Sequence, residues 1–210
     1  MEINKKELKE QEVRTMFITP ALQQKGWAVS VNMREEYYFT DGRVLVVGNQ
    51  HSVAEGKKAD YLLYHKGKPI AVVEAKDNKH AVGGGIQQAM DYAQILDLKF
   101  AYSSNGDAFL EHDFITGKET EIKLEEFPTE EELYNRYLAS KSYTSEELNI
   151  IETPFYYDAH SHEPRYYQRI AVDRTVEAIA RGQQRVLVVM ATGTGKTFTA
   201  FQIILSLIHI

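Results

Sequence analysis

A glycine-rich loop near the end of the chain constrains the fold more than any other feature. Residues 190–197 read Met-Ala-Thr-Gly-Thr-Gly-Lys-Thr, at the end of an apolar run over residues 185–190 and before a helical pattern that starts at residue 197. Glycines let backbone amides close around a phosphate, and a helix N-terminus adds partial positive charge. The order of buried strand, loop and helix therefore predicts the beginning of an α/β phosphate-binding domain.

The polar residues of this loop predict how a nucleotide is held. We expect Lys196 to reach the β- and γ-phosphates of ATP and Thr197 to ligand the associated Mg²⁺. The backbone cradle around the phosphates consists of Thr192, Gly193, Thr194 and Gly195. Met190 stands where the strict phosphate-loop pattern has glycine, and the form with Ala191, which runs on to Thr197, resembles motif I of superfamily 2 helicases.

A glutamine upstream of the loop is a further candidate nucleotide-binding residue. Gln168 follows Tyr166 and Tyr167, and one predicted helix and one predicted strand separate it from the loop. In the helicases named above, a glutamine at this place reads the adenine edge with an aromatic residue nearby, and Gln168 resembles it. A side-chain amide donates and accepts at once, which suits adenine N6 and N7. Without that resemblance, Gln168 is better interpreted as a surface residue at a helix start.

The first half of the chain predicts a small sheet with helices, in the order α-β-β-β-α-β. A turn at residues 65–68 joins the second and third strands into a hairpin. The predicted helices cover residues 5–24, interrupted by Pro20, and residues 86–98; the predicted strands cover residues 44–47, 59–64, 69–75 and 100–103.

Two acids and a lysine on this hairpin form a candidate catalytic site. Asp60 lies at the head of one predicted strand, and Glu74 and Lys76 lie at the end of the next. Side chains alternate along a strand, so Glu74 and Lys76 share a face, and the hairpin brings Asp60 towards them. The Glu-x-Lys triplet occurs four times in the chain, but only Glu74 closes an apolar strand. Carboxylates clustered at a sheet edge are costly unless a divalent cation holds them, although strand ends are often solvated.

A glutamine and a tyrosine on the following helix support the catalytic interpretation. Gln88 and Tyr92 are one helical turn apart on the same face. The set from Asp60 to Tyr92 resembles the PD-(D/E)xK nuclease fold with the Gln-x-x-x-Tyr extension of RecB-like and type I restriction nucleases. With the helicase motif downstream, the order resembles the restriction (R) subunit of type I restriction enzymes, and residues 17–22 with Gly26-Trp27 resemble its first helix.

The resemblance implies roles for individual residues. Asp60, Glu74 and the Ala75 carbonyl would bind Mg²⁺, and Lys76 would position the attacking water and stabilise developing charge. Gln88 and Tyr92 would hold DNA or the geometry of the site. An acid on the first helix also joins the site in related nucleases, and here Glu10 and Glu12 both qualify. Gly83, Gly84 and Gly85 either permit a close backbone approach to DNA or, in the favoured interpretation, form a flexible loop.

Length and composition set the outer limits of the interpretation. The chain has 210 residues, no cysteine, a charged N-terminus and no apolar stretch long enough to span a bilayer, which predicts a cytoplasmic protein without disulfides, thiolate metal sites or membrane insertion. Its net charge of -6 argues against a surface that grips nucleic acid wholly by charge, but it does not exclude DNA. Glutamates crowd residues 119–132, where a solvated face is expected. We predict a nuclease domain over residues 1–145, a linker over 146–164, the start of a RecA-like helicase domain over 165–204 and an adaptor-derived scar over 205–210 of a truncated chain.

In the intact family protein, the resemblance implies Mg²⁺-dependent cleavage of double-stranded DNA, coupled to ATP-driven translocation. Methyltransferase (M) and specificity (S) subunits would be partners, and S-adenosylmethionine would act only through them. The alternatives are a repair nuclease-helicase without methyltransferase partners and a non-catalytic adaptor that docks a motor on DNA. We expect the 210-residue polypeptide itself not to hydrolyse ATP, because the other groups that phosphoryl transfer requires are expected beyond residue 210.

Overall fold

The computed structural model divides the chain into two compact units, Met1–Ser140 and Lys141–Ile210. It describes residues 4–40, 44–47, 50–53, 56–155 and 163–208. Parts of two predicted segments, residues 156–162 of the linker and residues 209–210 at the end, lie outside the described residues.

The predicted opening helix is continuous through Pro20, which does not break it. Helix α1 (Glu10–Val13) passes into a π-helical turn (Arg14–Ile18) and then into helix α2 (Thr19–Gln24). Proline has no N–H, so it is tolerated in the first turn of a helix, where α2 places it. The wider π turn before it carries the chain into α2 through a bond from the Thr19 N–H to the carbonyl of Arg14.

A six-stranded mixed sheet forms the centre of the first unit, in the order β1-β4-β5-β6-β7-β8. Strands β5 and β6 are parallel, and the other neighbouring pairs are antiparallel. A parallel pair requires a crossover, which contains helix α3 (Ile86–Leu96). The strands are β1 (Met33–Phe39), β4 (Lys57–His65), β5 (Lys68–Ala75), β6 (Phe100–Ser104), β7 (Ala108–Asp113) and β8 (Lys118–Lys123).

The sheet differs from the prediction in its edges. The predicted strand over residues 44–47 exists as β2 (Val44–Val47), but it pairs with β3 (Gln50–Val53) in a separate two-stranded sheet. Strands β1, β3, β7 and β8 were not predicted. Strand β8 carries Glu119 and Glu121, which are exposed, so this part of the acidic segment is a solvated face as expected.

The hydrophobic core fixes the strands that carry the candidate site. Tyr61 on β4 and Val73 on β5 are fully buried and pair across the hairpin. The predicted turn at residues 65–68 is present, with Lys66 and Gly67 at positive φ. Trp27 is fully buried after α2, and its indole Nε1 donates to the Pro128 carbonyl at 2.9 Å. A helix α4 (Glu130–Ala139) follows and ends the unit.

The second unit is helical in the part of the chain that the structure describes. It contains α5 (Ser145–Ile151), α6 (Tyr166–Ala180) and α7 (Lys196–Leu207). The prediction of a buried strand over residues 185–190 is wrong: the segment has no regular structure, and Leu187 and Val189 are 87% and 84% exposed. A strand needs a hydrogen-bonded neighbour, and no strand is found among the described residues of this unit.

Among residues 4–40, 44–47, 50–53, 56–155 and 163–208, no helix has both the length and the apolar character that crossing a bilayer requires.

Candidate active site

Asp60 and Glu74 lie next to each other across the β4–β5 hairpin. The antiparallel register pairs Tyr61 with Val73, which places Asp60 opposite Glu74 on the same face of the sheet. The Asp60 amide donates to Glu74 Oε1 at 3.2 Å, and the Ala75 amide donates to Asp60 Oδ2 at 2.8 Å. Asp60 is in the interior of β4 rather than at its head, because the strand begins earlier, at Lys57.

Burial makes the full ionisation of this pair unfavourable. Asp60 is 6% exposed and Glu74 is 1% exposed. Loss of hydration raises the pKa of Glu74 to about 8, and the negative charge of Asp60 contributes in the same direction. A carboxylate whose negative charge is disfavoured in this way marks a place where a positive charge would be stabilised. The two carboxylates therefore have the chemistry to hold a divalent cation.

Lys76, Gln88 and Tyr92 form a chain of polar contacts beside the acids. Lys76 directly follows β5, and its Nζ donates to Gln88 Oε1 at 3.2 Å. Gln88 Nε2 then donates to Tyr92 Oη at 3.1 Å. Phe39 packs edge-on against the Tyr92 ring, with centroids 5.1 Å apart. The structure thus brings all five sequence-predicted catalytic side chains to one region of the sheet.

The three-glycine segment is a packed turn, so the interpretation as a flexible loop is wrong. It forms a 3-10 turn (Val82–Gly85) whose Gly85 amide donates to Ser103 Oγ at 3.0 Å. Ser103 Oγ donates in turn to the Val82 carbonyl at 2.7 Å. A Cβ on Gly85 would lie 3.3 Å from both Glu74 Cβ and Lys76 Cε. The absence of a side chain there lets α3 approach the acids closely.

Two residues at this site were not found by sequence reasoning. Ser103 pairs with Glu74 across the parallel β5–β6 ladder, and strand 100–103 was predicted without a role for its serine. Arg14 Nη1 lies 3.2 Å from Asp60 Oδ1. The available signal was its position on the first helix, four residues after Glu10, where the family resemblance implies an acid rather than a base.

The two acids of the first helix act on different groups. Glu12 Oε2 accepts from the Lys9 amide at 2.7 Å and so caps α1. The charge of Glu10, by contrast, contributes to the raised pKa of Glu74. Of the pair left open by the sequence, Glu10 is the one whose charge contributes to the pKa of Glu74, as a minor cause. In the described residues, no group of three or more His, Cys, Asp or Glu side chains is arranged as a metal site.

The glycine-rich loop of the second unit is held by Gln168. Gln168 Nε2 donates to the Thr194 carbonyl at 2.8 Å, while its Oε1 accepts from the Arg165 amide at 2.9 Å. Gly195 has a φ of +83°, and a Cβ there would lie 2.4 Å from Gln168 Nε2, so only glycine fits. Both polar atoms of the Gln168 side-chain amide thus contact the protein backbone. The sequence predicted that this amide would contact adenine.

The remaining loop residues are open to solvent. Thr192, Gly193 and Thr197 are exposed, and Lys196 Nζ donates to the Met190 carbonyl at 3.2 Å. Helix α7 begins at Lys196, so its first amides face the loop. This arrangement can bind an anion such as a phosphate, as the loop-to-helix order predicts.

Comparisons with known proteins relate both units to restriction enzymes. Residues 161–210 match the family model "Type III restriction enzyme, res subunit", and residues 34–105 match "Type I restriction enzyme EcoKI endonuclease subunit second domain". The EcoAI endonuclease subunit of Escherichia coli is 43% identical over 208 residues, which are 97% of this chain and 26% of that protein. The EcoKI endonuclease subunit of Escherichia coli K12 is 28% identical over 96% of this chain and 22% of its own length.

A solved structure supports the same relationship. A fragment of a putative HsdR subunit of a type I restriction enzyme from Vibrio vulnificus YJ016 superposes with a TM-score of 0.81 at 45% identity, over 95% of this chain and 38% of that one. These findings confirm the restriction-endonuclease-like α/β class, with a mixed sheet flanked by helices and a helicase-type segment behind it. Over nearly its whole length, the chain is similar to type I restriction enzyme endonuclease subunits. It spans about a quarter of the length of the curated relatives that it matches.

Proposed function

We propose that this chain carries the DNA-cleaving site of a type I restriction enzyme and the first nucleotide-binding elements of its motor. The observation that carries the proposal is the buried Asp60–Glu74 pair, with the pKa of Glu74 raised to about 8 beside Lys76. In a purely structural role, the Arg14 guanidinium beside Asp60 would offset the repulsion between the two buried acids only in part. A divalent cation does compensate this repulsion.

The donor set fits Mg²⁺. Asp60, Glu74 and the Ala75 carbonyl would hold the ion with water molecules, since Mg²⁺ usually binds one or two carboxylates and keeps several waters. When bound, Mg²⁺ would polarise a phosphate oxygen of DNA. Glu10 is the first-helix acid that we assign to the site, because its charge acts on Glu74.

The other residues have supporting roles in this scheme. Lys76 would orient the attacking water and neutralise charge on the phosphate, and its contact with Gln88 fixes the ammonium group. Tyr92 accepts a hydrogen bond from Gln88 and so helps to orient it. A non-catalytic adaptor has less support, because it gives no reason for Asp60, Glu74 and Lys76 to lie together.

The second unit supplies the nucleotide site in the proposal. Lys196 would bind the β- and γ-phosphates of ATP, and Thr197 would ligand Mg²⁺, in a cradle formed by Thr192, Gly193, Thr194 and Gly195. Gln168 would position the loop through Thr194 and exchange one of its contacts for adenine. In the intact complex, ATP would drive translocation on double-stranded DNA, with M and S subunits as partners that supply methylation and site recognition.

Metal binding by the 210-residue chain tests the nuclease part of the proposal. We expect calorimetry to detect weak Mg²⁺ or Mn²⁺ binding that Glu74→Gln abolishes. Glu121→Gln is a matched control, because Glu121 belongs to another Glu-x-Lys triplet, on the exposed strand β8. Binding that survives Glu74→Gln, or that Glu121→Gln also abolishes, would contradict the assignment of the metal ligands.

A further inference from the structure

Arg14 is placed between a buried acid of the candidate site and a second, more exposed acid. Its Nη1 lies 3.2 Å from Asp60 Oδ1 and 3.2 Å from Glu36 Oε1. Its Nε donates to Tyr61 Oη at 3.4 Å, and the guanidinium lies over the Tyr61 ring at 5.0 Å from the centroid. The Arg14 side chain is 11% exposed, so this cation is itself largely removed from water.

The contacts of Asp60 leave neither of its oxygens free of protein donors. Oδ2 accepts from the Ala75 amide, which belongs to the backbone and stays in place while the sheet is formed. Oδ1 accepts from Arg14, whose long side chain has several rotatable bonds. A cation that ligands Asp60 through Oδ1 would therefore compete with Arg14 for the same negative charge.

Glu36 lies on β1 directly opposite Asp60. The ladder pairs Glu35 with Tyr61 and Tyr37 with Ala59, so the register continues through Glu36 and Asp60 without an extra residue. The φ of Glu36 is +53°, a left-handed conformation that is uncommon outside glycine and is kept where surrounding contacts over-determine it. Its Oε1 also accepts from Lys58 at 3.2 Å, and the side chain is 50% exposed.

We propose that Arg14 is a displaceable counter-ion of Asp60. A divalent cation that binds Asp60 displaces Arg14, and Arg14 then stays paired with Glu36. The inference rests on the proposed function, because it takes Asp60 to be a metal ligand. Before the cation binds, the guanidinium offsets part of the repulsion between Asp60 and Glu74. When the cation binds, Arg14 keeps its contact with Glu36 and its place over Tyr61. Arg14 is thus a positioning residue that sets the cation concentration at which the site fills.

Substitutions of Arg14 and of Glu36 are expected to change the Mn²⁺ affinity in opposite directions. In Arg14→Gln, the cation has no positive neighbour to displace, so Mn²⁺ should bind the 210-residue chain about tenfold more tightly, as the loss of one charge-assisted hydrogen bond implies. In Glu36→Gln, Arg14 has only Asp60 as an anionic partner, so Mn²⁺ should bind about threefold more weakly, since a half-exposed pair contributes little.

The measurement is calorimetric titration of each full-length 210-residue variant with MnCl₂, after circular dichroism has established the fold. Lys118→Gln is the charge-matched control for Arg14→Gln, because Lys118 is exposed on β8 at the opposite edge of the sheet. The Mn²⁺ affinity of Lys118→Gln should equal that of the wild type. In EDTA, Arg14→Gln should melt at a lower temperature than the wild type, and added Mn²⁺ should narrow the difference. Because the Glu36 side chain is half-exposed, Glu36→Gln should fold, and its Mn²⁺ affinity tests the inference if Arg14→Gln does not fold.

Equal or weaker Mn²⁺ binding by folded Arg14→Gln, or tighter binding by Glu36→Gln, would overturn the inference. If the wild type binds Mn²⁺ and Asp60→Asn removes that binding, such a result leaves the metal site itself intact. If neither the wild type nor Arg14→Gln binds Mn²⁺, the proposed function and the inference both fail.

Discussion

The two units contain similar sequence patterns and reach different degrees of order. Each has a run of β-branched and aliphatic residues that ends at polar, chemically active residues. In the first unit, residues 70–73 are buried between β4 and β6, and Glu74 is held by the backbone of a neighbouring strand. In the second unit, residues 186–189 are exposed, and the loop after them is positioned by Gln168 and the flanking helices.

The difference teaches that a motif specifies chemistry while its neighbours specify geometry. An apolar strand gains stability only when adjacent strands satisfy its backbone groups and cover its side chains. The first unit supplies both within the described residues, so its acids are desolvated and the pKa of Glu74 is raised. The loop of the second unit has the right residues in the right order, but Lys196 and Thr197 are exposed to solvent.

The largest expected effect is a loss of DNA cleavage that leaves ATP hydrolysis unchanged. In the full-length subunit assembled with its partners, Lys76→Ala should reduce DNA cleavage by at least about a hundredfold, because a transition-state charge loses its counter-charge. ATP hydrolysis and translocation should stay near the wild-type rate, since the nucleotide site lies in the other unit. Plasmid cleavage and phosphate release measured on the same preparation check this. A parallel loss of both activities would mean that Lys76 has a role outside cleavage.

The next effect concerns the nucleotide site. Gln168→Ala in the full-length protein should weaken ATP binding by ~1–3 kcal/mol, because an amide that holds the Thr194 carbonyl and is expected to read adenine is lost. GTP binding should change less. Fluorescent-nucleotide competition checks this, with Gln183→Ala as control, since Gln183 is exposed. Equal weakening for ATP and GTP would limit Gln168 to supporting the loop.

A smaller effect is expected from filling the space beside the acids. Gly85→Ala should lower the free energy of unfolding of the first unit by about 1–2 kcal/mol, because its Cβ would meet Ser103 Oγ at 3.1 Å and Glu74 Cβ at 3.3 Å. Gly56→Ala is the control, since its nearest neighbour would be 3.9 Å away. Urea unfolding followed by Trp27 fluorescence measures both. A neutral Gly85→Ala would show that α3 can shift away from the sheet without cost.

The last effect is a slope, the pH dependence of stability without metal. The pKa of Glu74 is about 8 in the folded chain against an ordinary 4.5, so between these values the folded chain keeps a proton that the unfolded chain releases. Stability should therefore fall as pH rises from about 4.5 to about 8, by at most about 1.4 kcal/mol per pH unit, and then level off. Denaturation at several pH values, compared with Glu74→Gln, isolates this slope. Mg²⁺ should flatten it, and a slope unchanged in Glu74→Gln would assign it to other groups.

The sequence predicts a strand correctly where its local apolar pattern and its neighbouring strands favour the same structure. The hairpin of β4 and β5 has apolar strands and a glycine turn, so the juxtaposition of Asp60 and Glu74 could be predicted from strand alternation alone. Strand β1 could not, because its residues Arg34, Glu35 and Glu36 interrupt the apolar alternation and, within the described residues, β4 is its one partner strand. The overprediction of a strand over residues 185–190 has the opposite cause, since its pattern is strongly apolar and its neighbours are missing from the described residues.

Arg14 and Ser103 show why a site is harder to predict than a fold. Neither belongs to a spacing motif, and each reaches the acids only through the packing of one element on another. Arg14 comes from a π-helical turn that lies 46 residues from Asp60 along the chain. The contacts that adjust a reactive group are long-range, so they become visible only in three dimensions.

The hydrogen bond from Trp27 to the Pro128 carbonyl has a consequence for synthesis on the ribosome. It joins residues 101 positions apart, so the first helix can be locked in place only after almost all of the first unit has left the exit tunnel. Until then, the helix that carries Arg14 lacks this tether, although Asp60 and Glu74 have already been synthesised. The candidate site therefore reaches its final packing as one of the last events in the folding of the first unit.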